Sequence, residues 1–328
     1  MRKFLLILVG TVVLLGAGVF AAFKLSPWPA VFLIRNSFDQ GAEAAKASVA
    51  PVVPKGISAQ YGLSYAPADE DALFDIFAPA DARKPLPTVV WVHGGAFIAG
   101  SRSDLSGYMQ VLASRGFVTV AIEYTRAPEA KFPTPVRQTN QALAYLIANA
   151  ARFNIDPDHI FLAGDSAGAQ IAAQSALVIS EPDYGRRIGV QPGMARAALR
   201  GVVLYCGPYD PSLLNFDSPY GDFMRTVIWS YVGTRDPNDP RVSQMAVAPH
   251  ITPAYPPVFI SVGNVDPLAP QSVALANALR GKGVEVDALF FPANHQPPLD
   301  HEYQLLLSTE AGRQALERSV AFLASHAS

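Results

Sequence analysis

The sequence predicts an α/β fold, with a mostly parallel sheet covered by helices on both faces. Three observations carry this expectation. From about residue 57, short runs rich in β-branched and aromatic residues alternate with longer stretches at helical spacing. One such run, Ile160–Ala163, passes through Gly164-Asp165-Ser166-Ala167-Gly168 directly into the Ala-rich, helix-favouring stretch Ala169–Leu177. Half of the 328 residues are hydrophobic and only 16% are charged, so the chain has the material for a large core.

Taken in order, the chain opens outside that pattern. Arg2-Lys3 is followed by an uncharged, apolar run from Phe4 to Phe23 and then by Lys24. As a helix this run is about 30 Å long, enough to cross a bilayer core. It exceeds the apolar region of an ordinary signal peptide, and Ala21-Ala22-Phe23 is a poor cleavage sequence. Residues 1–24 therefore read as an uncleaved membrane anchor; the alternative is a cleaved signal that leaves a secreted protein. The basic residues ahead of the run place the body outside the cytoplasm. Ser26-Pro27-Trp28-Pro29 breaks the helix, and Ala30–Arg35 with Phe38 forms a second apolar patch, lying on the membrane or over the body of the protein. Pro51, Pro54 and Gly56 mark a linker, so residues 25–56 form a juxtamembrane or cap segment.

Residues 57–328 make the globular domain. Tyr61–Tyr65 and Leu73–Ala78 read as an opening strand pair, followed by Thr88–Val92 and Phe117–Ile122. Gln138–Phe153 reads as a helix, with Leu143, Leu146, Ile147 and Ala150 on one face. Strands follow at Ile160–Ala163, Gly201–Tyr205, Val258–Val262 and Val284–Phe291, and helices at Ser272–Arg280 and Thr309–Leu323. The aromatic-rich stretch 212–250 fits no βαβ unit. It is read as an insertion over the carboxyl ends of the strands, where open α/β sheets bind ligands.

Ser166 lies at a strand-to-helix corner whose small neighbours leave room for a sharp turn, the setting of a nucleophile elbow. A serine hydroxyl needs a base, and the base an orienting acid. Asp266, in the loop after Val258–Val262, is the candidate acid. Two histidines follow the next strand, His295 and His301. His301, in His301-Glu302-Tyr303 before the last helix, is preferred, with Gln296–Asp300 as an insertion that postpones it; His295 is the alternative. Amide donors for an oxyanion are expected from Ala167 and from Gly94 and Gly95, which follow the strand Thr88–Val92. His93 is read as a brace for that loop.

These residues carry a resemblance. His93-Gly94-Gly95-Ala96-Phe97, Gly164-Asp165-Ser166-Ala167-Gly168 and Asp266-Pro267-Leu268, with Glu123-Tyr124 and Ala127-Pro128-Glu129, resemble the hormone-sensitive lipase family of α/β-hydrolases over roughly residues 57 to 325. The resemblance implies an eight-stranded, mostly parallel sheet and a helical cap built from the N-terminal segment and a later insertion. It also implies ester hydrolysis with no cofactor and no metal. Two departures stand out: Ala96 where a third glycine is common, and Gln138 where an acid is expected.

The function expected is that of a serine carboxylesterase acting on a small-molecule ester of short to medium acyl chain, through Ser166, His301 and Asp266. Amide or peptide hydrolysis by the same triad, or ligand binding without turnover, remain as alternatives. A net charge of −2, from 25 basic and 27 acidic residues, gives no electrostatic case for nucleic acid. The single cysteine, Cys206, excludes an intrachain disulfide and a Cys-rich metal site.

Overall fold

A computed structural model describes residues 2–327; residue 1 of the expected anchor and residue 328 of the globular domain lie outside the described residues. Eight strands form one sheet: β1 (Ile57–Ser64), β2 (Leu73–Pro79), β3 (Leu86–Val92), β4 (Val118–Ile122), β5 (Ile155–Asp165), β6 (Leu199–Tyr205), β7 (Val258–Val262) and β8 (Val286–Phe290). Their spatial order is β1-β2-β4-β3-β5-β6-β7-β8. Only β2 runs against its neighbours, pairing antiparallel with both β1 and β4, while the ladder from β4 to β8 is parallel throughout. A parallel sheet must be covered on both faces, and the predominantly apolar runs of β4 and β7 are buried along their whole length.

The helices follow from α1 (Arg2–Leu25) and α2 (Trp28–Val49) to α3 (Ser106–Ala113), α4 (Thr134–Ala148), α5 (Ser166–Ser180) and α6 (Pro182–Ile188). Then come α7 (Gly221–Val232), the single turn α8 (Pro240–Ser243), α9 (Ala269–Gly281) and α10 (Glu310–His326). Every residue of α5 is buried, consistent with its Ala-rich composition: small side chains let this helix press against the sheet. Thr309 caps α10 by accepting the N–H of Gly312.

Three elements depart from expectation. The break at residues 26–29 is short, because Pro29 falls in the first turn of α2, where a proline costs no hydrogen bond. The patch from Ala30 to Phe38 is thus the first half of a helix that continues to Val49. Its inner face carries Val31, Ile34 and Phe38 onto the body, and its outer face leaves Trp28, Phe32 and Leu33 exposed. Helix α4 starts four residues before Gln138, with Pro135 in its first turn, and its final turn is a separate 3-10 turn. Gln138 itself is buried: its Oε1 accepts Thr125 N–H at 2.9 Å and its Nε2 donates to Asp69 Oδ2 at 2.8 Å. An acid there would face Asp69 as a like charge, which explains the amide.

Strand order reverses between β3 and β5, whose parallel register sets Val92 beside Gly164. Loops leaving a sheet at such a switch point enclose a crevice. The loop after β3 begins at His93 and the turn after β5 begins at Ser166, so the fold brings these two segments together.

Candidate active site

Ser166 is the first residue of α5 and has φ +48°, while Asp165 before it is extended. That corner requires the flanking glycines. A Cβ on Gly164 would meet the Gly168 backbone at 2.5 Å, and one on Gly168 would run into the carbonyl oxygens of Val92 and His93. The serine side chain is thereby lifted to the head of the helix, where the first amide N–H groups have no intrahelical acceptor.

Asp266 and His301 come from the loops after β7 and β8. His301 Nε2 lies 2.9 Å from Ser166 Oγ and its Nδ1 lies 2.8 Å from Asp266 Oδ2. Asp266 offers only acceptors, so Nδ1 carries the proton and Nε2 is left to accept the serine hydroxyl. The other oxygen of Asp266 accepts Leu268 N–H at 2.7 Å, which fixes its carboxylate. Burial opposes a charge on the His301 ring, but the adjacent Cys206 and then the Asp266 hydrogen bond outweigh burial and hold its pKa well above the usual histidine value. Cys206 also touches the ring. Burial pushes its thiol up to about 11, so at neutral pH it is an uncharged neighbour.

The structure therefore brings together Ser166, His301 and Asp266, and leaves His295 apart. The His295 ring packs on Phe291, with centroids 4.5 Å apart. Asn264 determines this arrangement: its Oδ1 accepts Leu299 N–H at 2.8 Å, and its Nδ2 reaches the carbonyls of Ala293 and His295. This side chain, together with Val265 N–H, which donates to the Leu299 carbonyl at 3.2 Å, pins the insertion before His301 beside Asp266. Asn264 has a sequence signal only in its place two residues before the acid.

The loop after β3 corrects one expectation. Gly94, expected among the oxyanion donors, gives its N–H to Asp165 Oδ2 at 2.8 Å. Among the described residues no protein acceptor takes the N–H of Gly95 or Ala96, and Ala96 and Ala167 line the cavity that holds Ser166. Gly95 adopts φ +109° and lies so close to Ala99 that a Cβ would strike its backbone, so this position needs glycine. His93 is buried, its Nδ1 against the Gly94 carbonyl at 2.7 Å and its Nε2 against Glu123 Oε1 at 2.9 Å. Arg102 Nη1 donates to the other oxygen of Glu123 at 3.0 Å. The loop is thus held from below by a buried charged cluster.

A cavity of about 210 Å³ opens over Ser166 and His301. Its walls are apolar: Ala96 and Phe97 from the loop after β3, Phe223, Met224 and Val227 from α7, and Phe38 from α2. Phe38 stacks on Phe223 with centroids 6.3 Å apart, so α2 and α7 meet across it.

The sequence profile of the BD-FAE family matches residues 74–279, well over half of the chain. The chain belongs to the BD-FAE family. With it goes membership of the hormone-sensitive-lipase-like α/β-hydrolases that the motifs resemble. BD-FAE family membership agrees with individual relatives. Esterase LipQ of Mycobacterium tuberculosis is 30% identical over 230 residues, covering 67% of this chain and 52% of LipQ. Carboxylesterase NlhH of the same species is 29% identical over 77% of this chain and 79% of its own. The putative α/β-hydrolase R526 of Acanthamoeba polyphaga mimivirus is 27% identical over 66% of this chain and 62% of R526. The chain thus spans a little over half the length of LipQ and R526. Among solved structures, a bacterial heroin esterase superposes with TM-score 0.71 at 25% identity, covering 90% of this chain and 91% of that one. Esterase B of Lactobacillus rhamnosis superposes with TM-score 0.78 at 24% identity over 90% of this chain and 97% of its own, a likeness of fold.

Cys206, Asp266 and His301 offer ligand atoms within 4.8 Å of one another. A metal there would need the Cys206 thiolate and would take the His301 nitrogens from Asp266 and Ser166, so the donor set does not fit a resident ion.

Proposed function

We propose that this BD-FAE family member is a serine carboxylesterase for small esters with short to medium acyl chains. The observation that carries the proposal is the hydrogen-bonded line from Asp266 through His301 to Ser166, opening on an apolar cavity. The names of LipQ and NlhH support the same reaction class. As Ser166 Oγ attacks the ester carbonyl, its proton passes to His301 Nε2, and Asp266 holds the imidazolium that forms. The N–H groups of Gly95, Ala96 and Ala167 face the developing oxyanion, a contribution of about 3 kcal/mol per donor in acyl-transfer sites. The alcohol leaves with the proton from His301 Nε2. Water then attacks the acyl-enzyme by the same route in reverse.

Parallel assays of p-nitrophenyl butyrate and butyryl-p-nitroanilide test this reading. The ester should turn over far faster than the anilide, and Ser166→Ala should abolish ester turnover with the fold intact. Undiminished turnover in that variant contradicts the assignment.

In the same proposal, residues 1–24 anchor the protein, 25–56 form a cap segment, and 57–328 form the hydrolase domain with an insertion at 212–250. Helix α1 is long and apolar enough to cross a bilayer and none of its apolar window is buried in the protein. The domain then lies outside the cytoplasm. Full-length protein should stay in the membrane fraction after alkaline carbonate washing and keep its N-terminal mass; release at the expected mass of a cleaved form supports the signal alternative instead.

A further inference from the structure

Glu302, next to the base, lies between the two loops that the proposed reaction uses. Its backbone has φ +59°, in the left-handed region that non-glycine residues seldom adopt and that marks sites where the surroundings dictate the residue. Its Oε1 stands 3.9 Å from His301 Nε2, the nitrogen that also lies 2.9 Å from Ser166 Oγ. On its other side, its carboxyl group lies beside the carboxyl group of Asp165 over Gly94. A Cβ on Gly94 would strike Asp165 Oδ2 and come within 2.8 Å of Glu302 Oε1, so the two acids fill the space this glycine leaves open.

Two ionised carboxylates are acceptors only and cannot bond to each other, so a hydrogen bond between these neighbouring groups requires a proton on one of them. Its position follows from the remaining partners. Asp165 accepts Trp91 Nε1–H on Oδ1 at 2.6 Å and Gly94 N–H on Oδ2 at 2.8 Å. Both its oxygens receive N–H donors, so Asp165 is the charged member and Glu302 the neutral acid. Burial and the neighbouring Asp165 charge push Glu302 up to about 7, in the same direction.

The other charged groups around Glu302 agree with this assignment. Asp266 lies across His301, and Asp39 and Asp104 lie across a polar recess that Glu302 also lines. Asp104 is paired with Lys46 at 2.9 Å, and His93 behind Asp165 is paired with Glu123. The nearby Cys206 thiol and the buried phenols of Tyr108, Tyr124 and Tyr205 stay neutral near pH 7. A charged Glu302 would add another carboxylate beside His301, hold a proton on that ring and remove it as a base.

We infer that Glu302 is a positioning residue: as a neutral acid it donates to Asp165 and so ties the His301 loop to the Gly94–Ala96 loop, keeping base and oxyanion donors in register. This inference rests on the serine hydrolase reading above. Glu302→Gln keeps a donor toward Asp165 and removes the ionisation, whereas Glu302→Ala removes both.

The experiment combines infrared titration with kinetics on the full chain. At about pH 6 a carboxylic-acid carbonyl band should be present in the wild type, fade as pH rises past about 7, and be absent from E302Q. For a short ester, E302Q should keep kcat within about threefold of wild type, and its kcat/KM should lack the wild-type fall on the alkaline side. E302A should lose about tenfold or more in kcat with KM within about threefold. If E302A fails to fold, the band and the E302Q pH profile decide. Absence of the band, an E302Q profile superimposable on wild type, or a folded E302A with full kcat overturns the inference. Retained turnover in Ser166→Ala would sink the hydrolase reading instead, and the band, which needs no turnover, still reports on the acid pair.

Discussion

Arg35 and Glu129 form a two-pronged ion pair across 94 residues of chain, with Nη1 to Oε1 at 2.8 Å and Nη2 to Oε2 at 2.7 Å. The same guanidinium donates to the carbonyls of Ile98 at 2.7 Å and Ala127 at 3.1 Å. Helix α2 is therefore fastened to the loop that carries Ala96 and Phe97, and Phe38 one turn further on reaches the cavity. Burial alone would raise the Glu129 pKa, but Arg35 outweighs it and brings it below the ordinary value.

Arg35→Ala should free α2 and open the cavity wall at Phe38. Charged hydrogen bonds contribute about 1.5–3 kcal/mol each when buried. Glu129 is 40% exposed, so solvent screening reduces the expected loss to about 1–2 kcal/mol. KM for a butyrate ester should rise by about three- to tenfold with a smaller change in kcat. Urea unfolding and Michaelis kinetics check both; an unchanged KM and midpoint would count against a wall made by α2.

His301→Ala should cut kcat/KM by about a thousandfold or more, and His295→Ala by less than about threefold. The base must be neutral to accept the serine proton. Because its pKa is held above the usual histidine value, kcat/KM should rise with pH through that raised value rather than through the ordinary one. Asp266→Asn removes the charge that opposes proton loss, so the acid limb should move to lower pH while the rate falls by about 10⁴. A limb that stays in place in Asp266→Asn contradicts the assigned role.

Glu123 gives a stability prediction. Burial works to raise its pKa, but His93 and Arg102 prevail and hold it at about 2, against an ordinary 4.5. A depressed carboxyl pKa stabilises the fold above the unfolded value, and that stability is lost as pH falls toward the folded value. Denaturation measured between about pH 5 and pH 2 should show a loss of at most about 3 kcal/mol from this group. Glu123→Gln should be less stable at neutral pH and show a shallower acid decline; an unaltered slope would count against the cluster.

The fold was legible wherever burial imposes a pattern. Strands β3, β4 and β7 are predominantly apolar runs, and the elbow announces itself because Gly164 and Gly168 have no space for a Cβ. Helix α2 was only half legible, since its outer face is apolar near Trp28 and polar after Asn36, and Pro27 and Pro29 look like a break although they sit at the N-cap and in the first turn. In the site, residue types and chain order pointed to Ser166, Asp266 and His301. What the sequence concealed was how amide groups and long polar side chains divide their partners. Gly94 N–H is taken by Asp165, and Asn264 holds the loop that separates His295 from His301. Neither follows from spacing, because each depends on contacts between distant loops.

The most direct test is covalent. A short-chain p-nitrophenyl phosphonate, incubated with the full chain and analysed by peptide mass spectrometry, should add one adduct per molecule, on Ser166 alone, with activity lost in proportion. His301→Ala should slow that labelling by about a thousandfold. An adduct elsewhere, or full activity with Ser166 modified, would contradict the account.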